Sequence, residues 1–168
     1  MEFNLLKAEK IKIKIVSDRY DNTAPLMNAL DPSTPIGSKH GEVEHEHTEM
    51  TTEAELIERD GRTVIRYAES ELSGMEGAVT EISFENANPS IVTMERGGGF
   101  MTTFVFEGGK RHICVYNTPI MTFEMGVHTK EVQNHLADEG YIILDYLLEI
   151  RGAGAERNRV HISVMKND

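Results

Sequence analysis

The stretch Lys10–Val16 reads KIKIKIV, with lysine and isoleucine exchanging places at every step. In extended chain, successive side chains leave opposite faces of the backbone. Ile11, Ile13 and Ile15 therefore lie together on one side, with Lys10, Lys12 and Lys14 on the other. A helix would scatter both sets around its axis, so this pattern predicts a strand with one wet face. The same period of two recurs. TEMTTEAELIERD places Met50, Thr52, Ala54 and Leu56 on an inner face, and AVTEISF does so with Ala78, Thr80, Ile82 and Phe84. IMTFEMGVHTKEV sets Met121, Phe123, Met125 and Val127 against Thr122, Glu124 and His128. Helical periodicity is nearly missing.

Turn chemistry separates these runs. Asp60-Gly61 suits the positive φ angles of a type I′ hairpin. Asn86–Pro89, Gly97-Gly98-Gly99, Gly108-Gly109, Pro119 and Gly152–Ala155 mark further turns. Almost every link is short enough for a hairpin, so sequential antiparallel pairing follows. A long meander removes its exposed edges by closing on itself. The expected fold is all-β, an antiparallel up-and-down β-barrel of about 8–10 strands, with a β-sandwich as the alternative. Residues 21–47 differ: Pro, Asn, Ser and Gly are frequent and apolar periodicity lapses. That segment is expected to form a long connection over one barrel mouth, with a short helix around Ala24–Leu30. Residues 1–168 read as a single domain, large enough to bury a core without staples.

Composition excludes several function classes. The formal charge of −11 repels phosphate backbones, and with no Trp and no basic aromatic strip, nucleic acid is not expected as a partner. No apolar run reaches the ~20 residues of a membrane helix, and the opening MEFNLLKAEK lacks the pattern of a signal peptide. The lone cysteine, Cys114, rules out an internal disulfide and fits a reducing cytoplasm.

The blocks YAESELSGMEG, FVFEGGKRHICVYNTP, FEMGVHT, LDYLLEI and RNRVHISV occur in that order. As an ordered set they resemble the YwiB-like family of bacterial proteins, a domain of unknown function with a calycin-like (lipocalin-like) barrel. The likeness runs from about Ile11 to Lys166. It implies a closed barrel and a bacterial cytoplasmic setting, and it implies no activity. The histidines His40, His45 and His47 do not look like family features, so they inherit no role from it.

Glu69 and Glu71 share one face of an extended segment, ~7 Å apart at Cα. That separation lies in the range used by glycosidases, but adjacent groups on one strand do not flank a bond. The block YAESELSGMEG therefore reads as a barrel corner, with one glutamate meeting an arginine in or near the lumen. HGEVEHEH offers His45 and His47 on one side of the chain, with His40 nearby, as weak metal candidates beside the plainer reading of a solvated edge. Cys114 shares a face with His112 and Tyr116, poorly aimed for a thiolate–imidazole pair, and reads as buried and inert. The glycine runs fit no phosphate-loop pattern.

The barrel interior supplies the remaining site. Tyr67 and Glu69 share a face with Ile65, Arg111 and Asn117 share one with Ile113 and Val115, and Tyr146 sits between Leu144 and Leu148. Arg159 adds charge near a mouth. Taken together, Tyr67, Glu69, Arg111, Asn117, Tyr146 and Arg159 are the expected contacts for a small, partly apolar, anionic ligand in the lumen. No cofactor and no catalytic residue is identified. The competing readings are a filled barrel acting through its surface or as a homodimer, and a metal protein or small enzyme using the histidines.

Overall fold

In a computed structural model, residues 7–21, 44–70, 77–98, 101–117, 120–150 and 154–165 are described. They form ten strands and, among the described residues, no helix. The strands are β1 (Lys7–Asp21), β2 (Glu44–Arg59), β3 (Arg62–Ala68), β4 (Val79–Glu85) and β5 (Asn88–Gly97). They continue as β6 (Thr102–Glu107), β7 (Arg111–Asn117), β8 (Thr122–His135), β9 (Tyr141–Ile150) and β10 (Gly154–Met165). All belong to one antiparallel sheet in the order β6-β5-β4-β3-β2-β1-β10-β9-β8-β7. The sandwich alternative is thereby excluded: the meander curls into a nearly closed barrel.

Local chemistry explains the joints. Asp60 and Gly61 both take positive φ, 52° and 74°, as a type I′ turn requires, and they set the β2–β3 register. The alternation of β1 places Lys10 opposite Glu55 and Lys12 opposite Glu53 on the wet face, while Ile13 and Ile15 face inward. The first and last strands also pair, from Lys12 opposite Met165 to Asp21 opposite Glu156.

The interior is filled at its centre. Ile13, Ile65, Ile82, Val92, Phe106, Val127, Ile142, Leu144 and Ile162 are fully buried, one or more from most strands. Phe106 and Tyr146 bring their rings to 4.7 Å across the middle. Each such side chain contributes roughly 1.5–3 kcal/mol by leaving water, and the packing ties opposite walls together.

Two expectations are corrected here. β2 begins at Glu44, so His45 and His47 sit on a strand and not in the connection; His40 and the Ala24–Leu30 segment lie outside the described residues. The hairpin expected around Gly108-Gly109 makes its turn, with Lys110 N–H donating to Glu107 C=O at 2.9 Å, but its strands do not ladder together. β6 and β7 are the two edges of the sheet. Among the described residues their backbones are tied again where Met101 and Asn117 exchange two bonds of 3.0 Å, and His112 of β7 meets Glu107 of β6 at 3.3 Å. Between those ties the barrel has a seam.

Candidate functional site

Three neighbouring strands build a polar row inside the apolar barrel. Register sets Tyr67 of β3 opposite Thr80 of β4, and Thr80 opposite Arg96 of β5. Glu69, two residues beyond Tyr67, points the same way, and its N–H donates to Ala78 C=O at 2.9 Å, extending the pairing into the corner. Arg96 Nε donates to the Thr80 hydroxyl at 3.1 Å, and that hydroxyl donates to Glu69 Oε1 at 2.5 Å. Arg96 Nη2 reaches the same carboxylate oxygen at 3.3 Å. The side chains of Glu69 and Arg96 are only 3% and 14% exposed, so this is a buried ion pair with a hydroxyl relay. The expectation of a glutamate meeting an arginine inside the barrel is met by this pair. Glu71 lies outside the described residues, and Gly77, at φ 90°, closes the corner.

Burial raises the Tyr67 hydroxyl far above its ordinary value, and the Glu69 charge raises it further. Burial also pushes Tyr146 up to about 12, against a pull from the Arg96 charge. Both phenols therefore stay protonated, as donors, at any ordinary pH.

The other expected contacts lie elsewhere. On β7 the buried face is that of Cys114, so Arg111 and Asn117 project outward with Ile113 and Val115. Arg111 crosses Gly126 and donates to Glu149 Oε2 from Nε at 3.1 Å and Nη2 at 2.8 Å. Asn117 Oδ1 accepts from Thr122 at 2.7 Å. Arg159 is exposed on the outer face of β10, opposite Asp18. Of the six, Tyr67, Glu69 and Tyr146 line the interior, while Arg111, Asn117 and Arg159 face solvent. The residue the sequence reading passed over is Arg96. Its signal was present: Val92, Met94 and Arg96 share parity along β5.

The seam opens on this row. A cleft of about 700 Å³ lies along it, where the apolar side chains of Met101, Val105, Ile113 and Val115 meet the charged ones of Arg66, Glu81 and Glu95, with Arg96, Thr102 and Cys114 also in its lining. Ile113 and Val115 are 57% and 49% exposed, unusual for aliphatic side chains on a strand. Thr102 is 5% exposed, and its hydroxyl meets no oxygen or nitrogen partner among the described residues, only the Cys114 thiol beside it. That thiol also donates to Met125 C=O at 3.5 Å, and burial raises its pKa. That leaves Cys114 a poor nucleophile, as its setting in the sequence implied.

Comparison with known proteins gives this barrel its family. The model of a domain of unknown function, DUF1934, matches residues 36–162. The chain belongs to the DUF1934 family. The YwiB-like resemblance agrees with a second match, to the crystal structure of the ywiB protein from Bacillus subtilis. That match has a TM-score of 0.60 over 94% of each chain at 13% sequence identity, so the two share a fold. No curated protein matches the chain in sequence. In this DUF1934 member β1 precedes the matched residues, yet it holds the middle of the sheet between β2 and β10.

Proposed function

We propose that this DUF1934 protein is a non-enzymatic, cytoplasmic binding protein whose site is the seam cleft between β6 and β7. Its ligand is a small, partly apolar molecule carrying a carboxylate or carbonyl. The apolar part rests on Met101, Val105, Ile113 and Val115. The acceptor meets the Thr102 hydroxyl and the Arg96 edge of the buried row. The observation that carries this reading is the Thr102 hydroxyl, almost fully buried with no oxygen or nitrogen partner among the described residues, at the edge of an open cleft of mixed polarity. A buried hydroxyl so weakly partnered costs up to about 1–3 kcal/mol, and a ligand acceptor removes that cost. The packed centre of the barrel supports placing the ligand at the seam and not deep in the lumen.

Native mass spectrometry of untagged protein, after exposure to bacterial cell extract, tests this. A discrete added mass on wild type, absent from a folded Thr102→Val variant, is the expected result. A bare polypeptide mass across repeated extracts overturns it. One observation favours a second reading: the exposed Ile113 and Val115 also suit a second copy of the chain sealing the seam. In that case the same spectra show a dimer, and Val115→Lys returns it to monomer.

A further inference from the structure

On the barrel's outer wall, far along β1 and β2 from the lysine row, three side chains converge. Register places Asp18 of β1 opposite His47 of β2 and Tyr20 opposite His45. Asp18 Oδ1 is met by His47 Nδ1 at 2.6 Å and by His45 Nε2 at 2.9 Å. Two imidazoles thus aim different ring nitrogens at one carboxylate oxygen, and all three ligand-type atoms lie within 4.8 Å of one another.

We infer that Asp18, His45 and His47 form a binding site for a divalent first-row transition ion of the zinc class. The chemistry of the set is right for it: two neutral nitrogens and one carboxylate oxygen are borderline donors of the kind zinc takes. Ligand atoms around a tetrahedral zinc ion stand about 3.4 Å apart, so Asp18 Oδ1 has to draw back by less than about 1 Å from each nitrogen, and the two nitrogens, within 4.8 Å of one another, have to settle at that same spacing. Three protein ligands leave one position open to water or an exchangeable group, which distinguishes this site from a closed structural one.

The surroundings hold the two rings in place. Tyr20 stacks on His45 at 4.4 Å between centroids and 3° between planes, which fixes that imidazole's orientation. Glu49 Oε1 stands 3.7 Å from His47 Nε2, the nitrogen the ion would not use, beyond hydrogen-bond reach but near enough to attract that ring's N–H. Closing that gap on metal entry would put a carboxylate behind a ligating histidine, which sets its tautomer and strengthens it as a donor. Lys14 is drawn to Glu49 at 3.7 Å, and Arg159 is the cross-strand neighbour of Asp18 on β10, so cations border the site without entering the triad. In the metal-free protein each ring nitrogen that faces Asp18 Oδ1 donates to it, and metal entry requires each imidazole to carry its hydrogen on the other nitrogen.

Equilibrium dialysis of the full-length, untagged protein against zinc chloride, with metal counted by mass spectrometry, decides the matter. Wild type is expected to hold about one equivalent. His47→Ala and Asp18→Asn remove it, and Glu49→Gln weakens it roughly 10- to 100-fold with the apo melting temperature unchanged. His135→Ala, at the β8–β9 turn where Asp138 and Glu139 make a second acidic group, leaves binding intact. Absence of stoichiometric zinc on wild type overturns the inference. So does zinc that survives His47→Ala or is lost with His135→Ala.

Discussion

At the scale of single residues, the pair Arg96–Glu69 dominates the polar energetics, because Glu69 is almost fully buried and Arg96 reaches water only at its cleft edge. Removing one partner strands the other. Arg96→Met is therefore expected to cost about 3–5 kcal/mol in urea unfolding, whereas Arg96→Met combined with Glu69→Leu costs clearly less than the two single changes summed. Additive losses would show that the two groups do not act as a pair. Asp145 behaves differently. Arg157 donates to both its oxygens, at 3.1 and 2.8 Å, and holds its carboxyl below the ordinary value. The group thus ionises at lower pH folded than unfolded, where its pKa is ~3.9. Its contribution is complete above about pH 5 and is lost as pH falls through the folded value. Asp145→Asn should flatten the loss of stability between about pH 5 and 3; an unchanged acid limb would refute this. The alternation around Tyr67 and Glu69 exposed half of the interior row to a reader of the sequence. Arg96 stayed hidden because its charge argued for solvent more strongly than its parity with Val92 and Met94 argued for burial.

The strands were legible where one face is apolar and the other is not. β1, β2 and β4 satisfy that condition, and their inner sets fall where the alternation places them. β7 does not: Ile113 and Val115 are exposed while His112, Cys114 and Tyr116 face inward. Hydrophobicity pointed the wrong way there, and with it went Arg111 and Asn117. Nor does a glycine pair reveal whether the strands it joins will ladder, since the same turn serves a closed hairpin and a splayed one. The corrected orientation of β7 has a measurable side. Arg111 passes directly over Gly126, where an added Cβ would lie 2.8 Å from Nη2. Gly126→Ala must push the guanidinium off Glu149. Both partners of that pair are well exposed, at 52% and 41%, so the change is expected to cost under about 1 kcal/mol. A loss of several kcal/mol would mean that Arg111 is structural after all. Arg111→Leu should likewise leave any ligand mass on the protein unchanged.

Across the whole molecule, the barrel is firmest where the chain's two ends meet and loosest at its middle hairpin. β1 is laddered on both sides, to β2 and to β10, while β6 and β7 share no ladder among the described residues and meet through the turn, the Met101–Asn117 bridge and side-chain contacts. The last residue of β10, Met165, lies opposite Lys12 of β1, so a short linker from Met165 reaches the start of β1 at Lys7. A circular permutant opened between Gly108 and Gly109 should keep its stability to within about 1 kcal/mol, since the linker closes only a short loop. One opened between Asp60 and Gly61, inside a complete ladder, should lose more. Equal losses would show that the seam is no weaker than any other junction. The family's unknown function was not legible at this scale, because a barrel fold leaves the choice of ligand to a few side chains.

The pairing of first strand with last also has a consequence in time. During synthesis β1 leaves the ribosome long before its partner β10 exists, a wait on the order of ten seconds at ordinary translation rates. Throughout that interval one margin of an isoleucine-rich strand stands open to any other nascent chain. The lysines at every second position of KIKIKIV are well suited to that wait: charge repeated along an open strand discourages strange partners from stacking on it. The residues that reveal the fold to a reader are the same ones that guard it while it is incomplete.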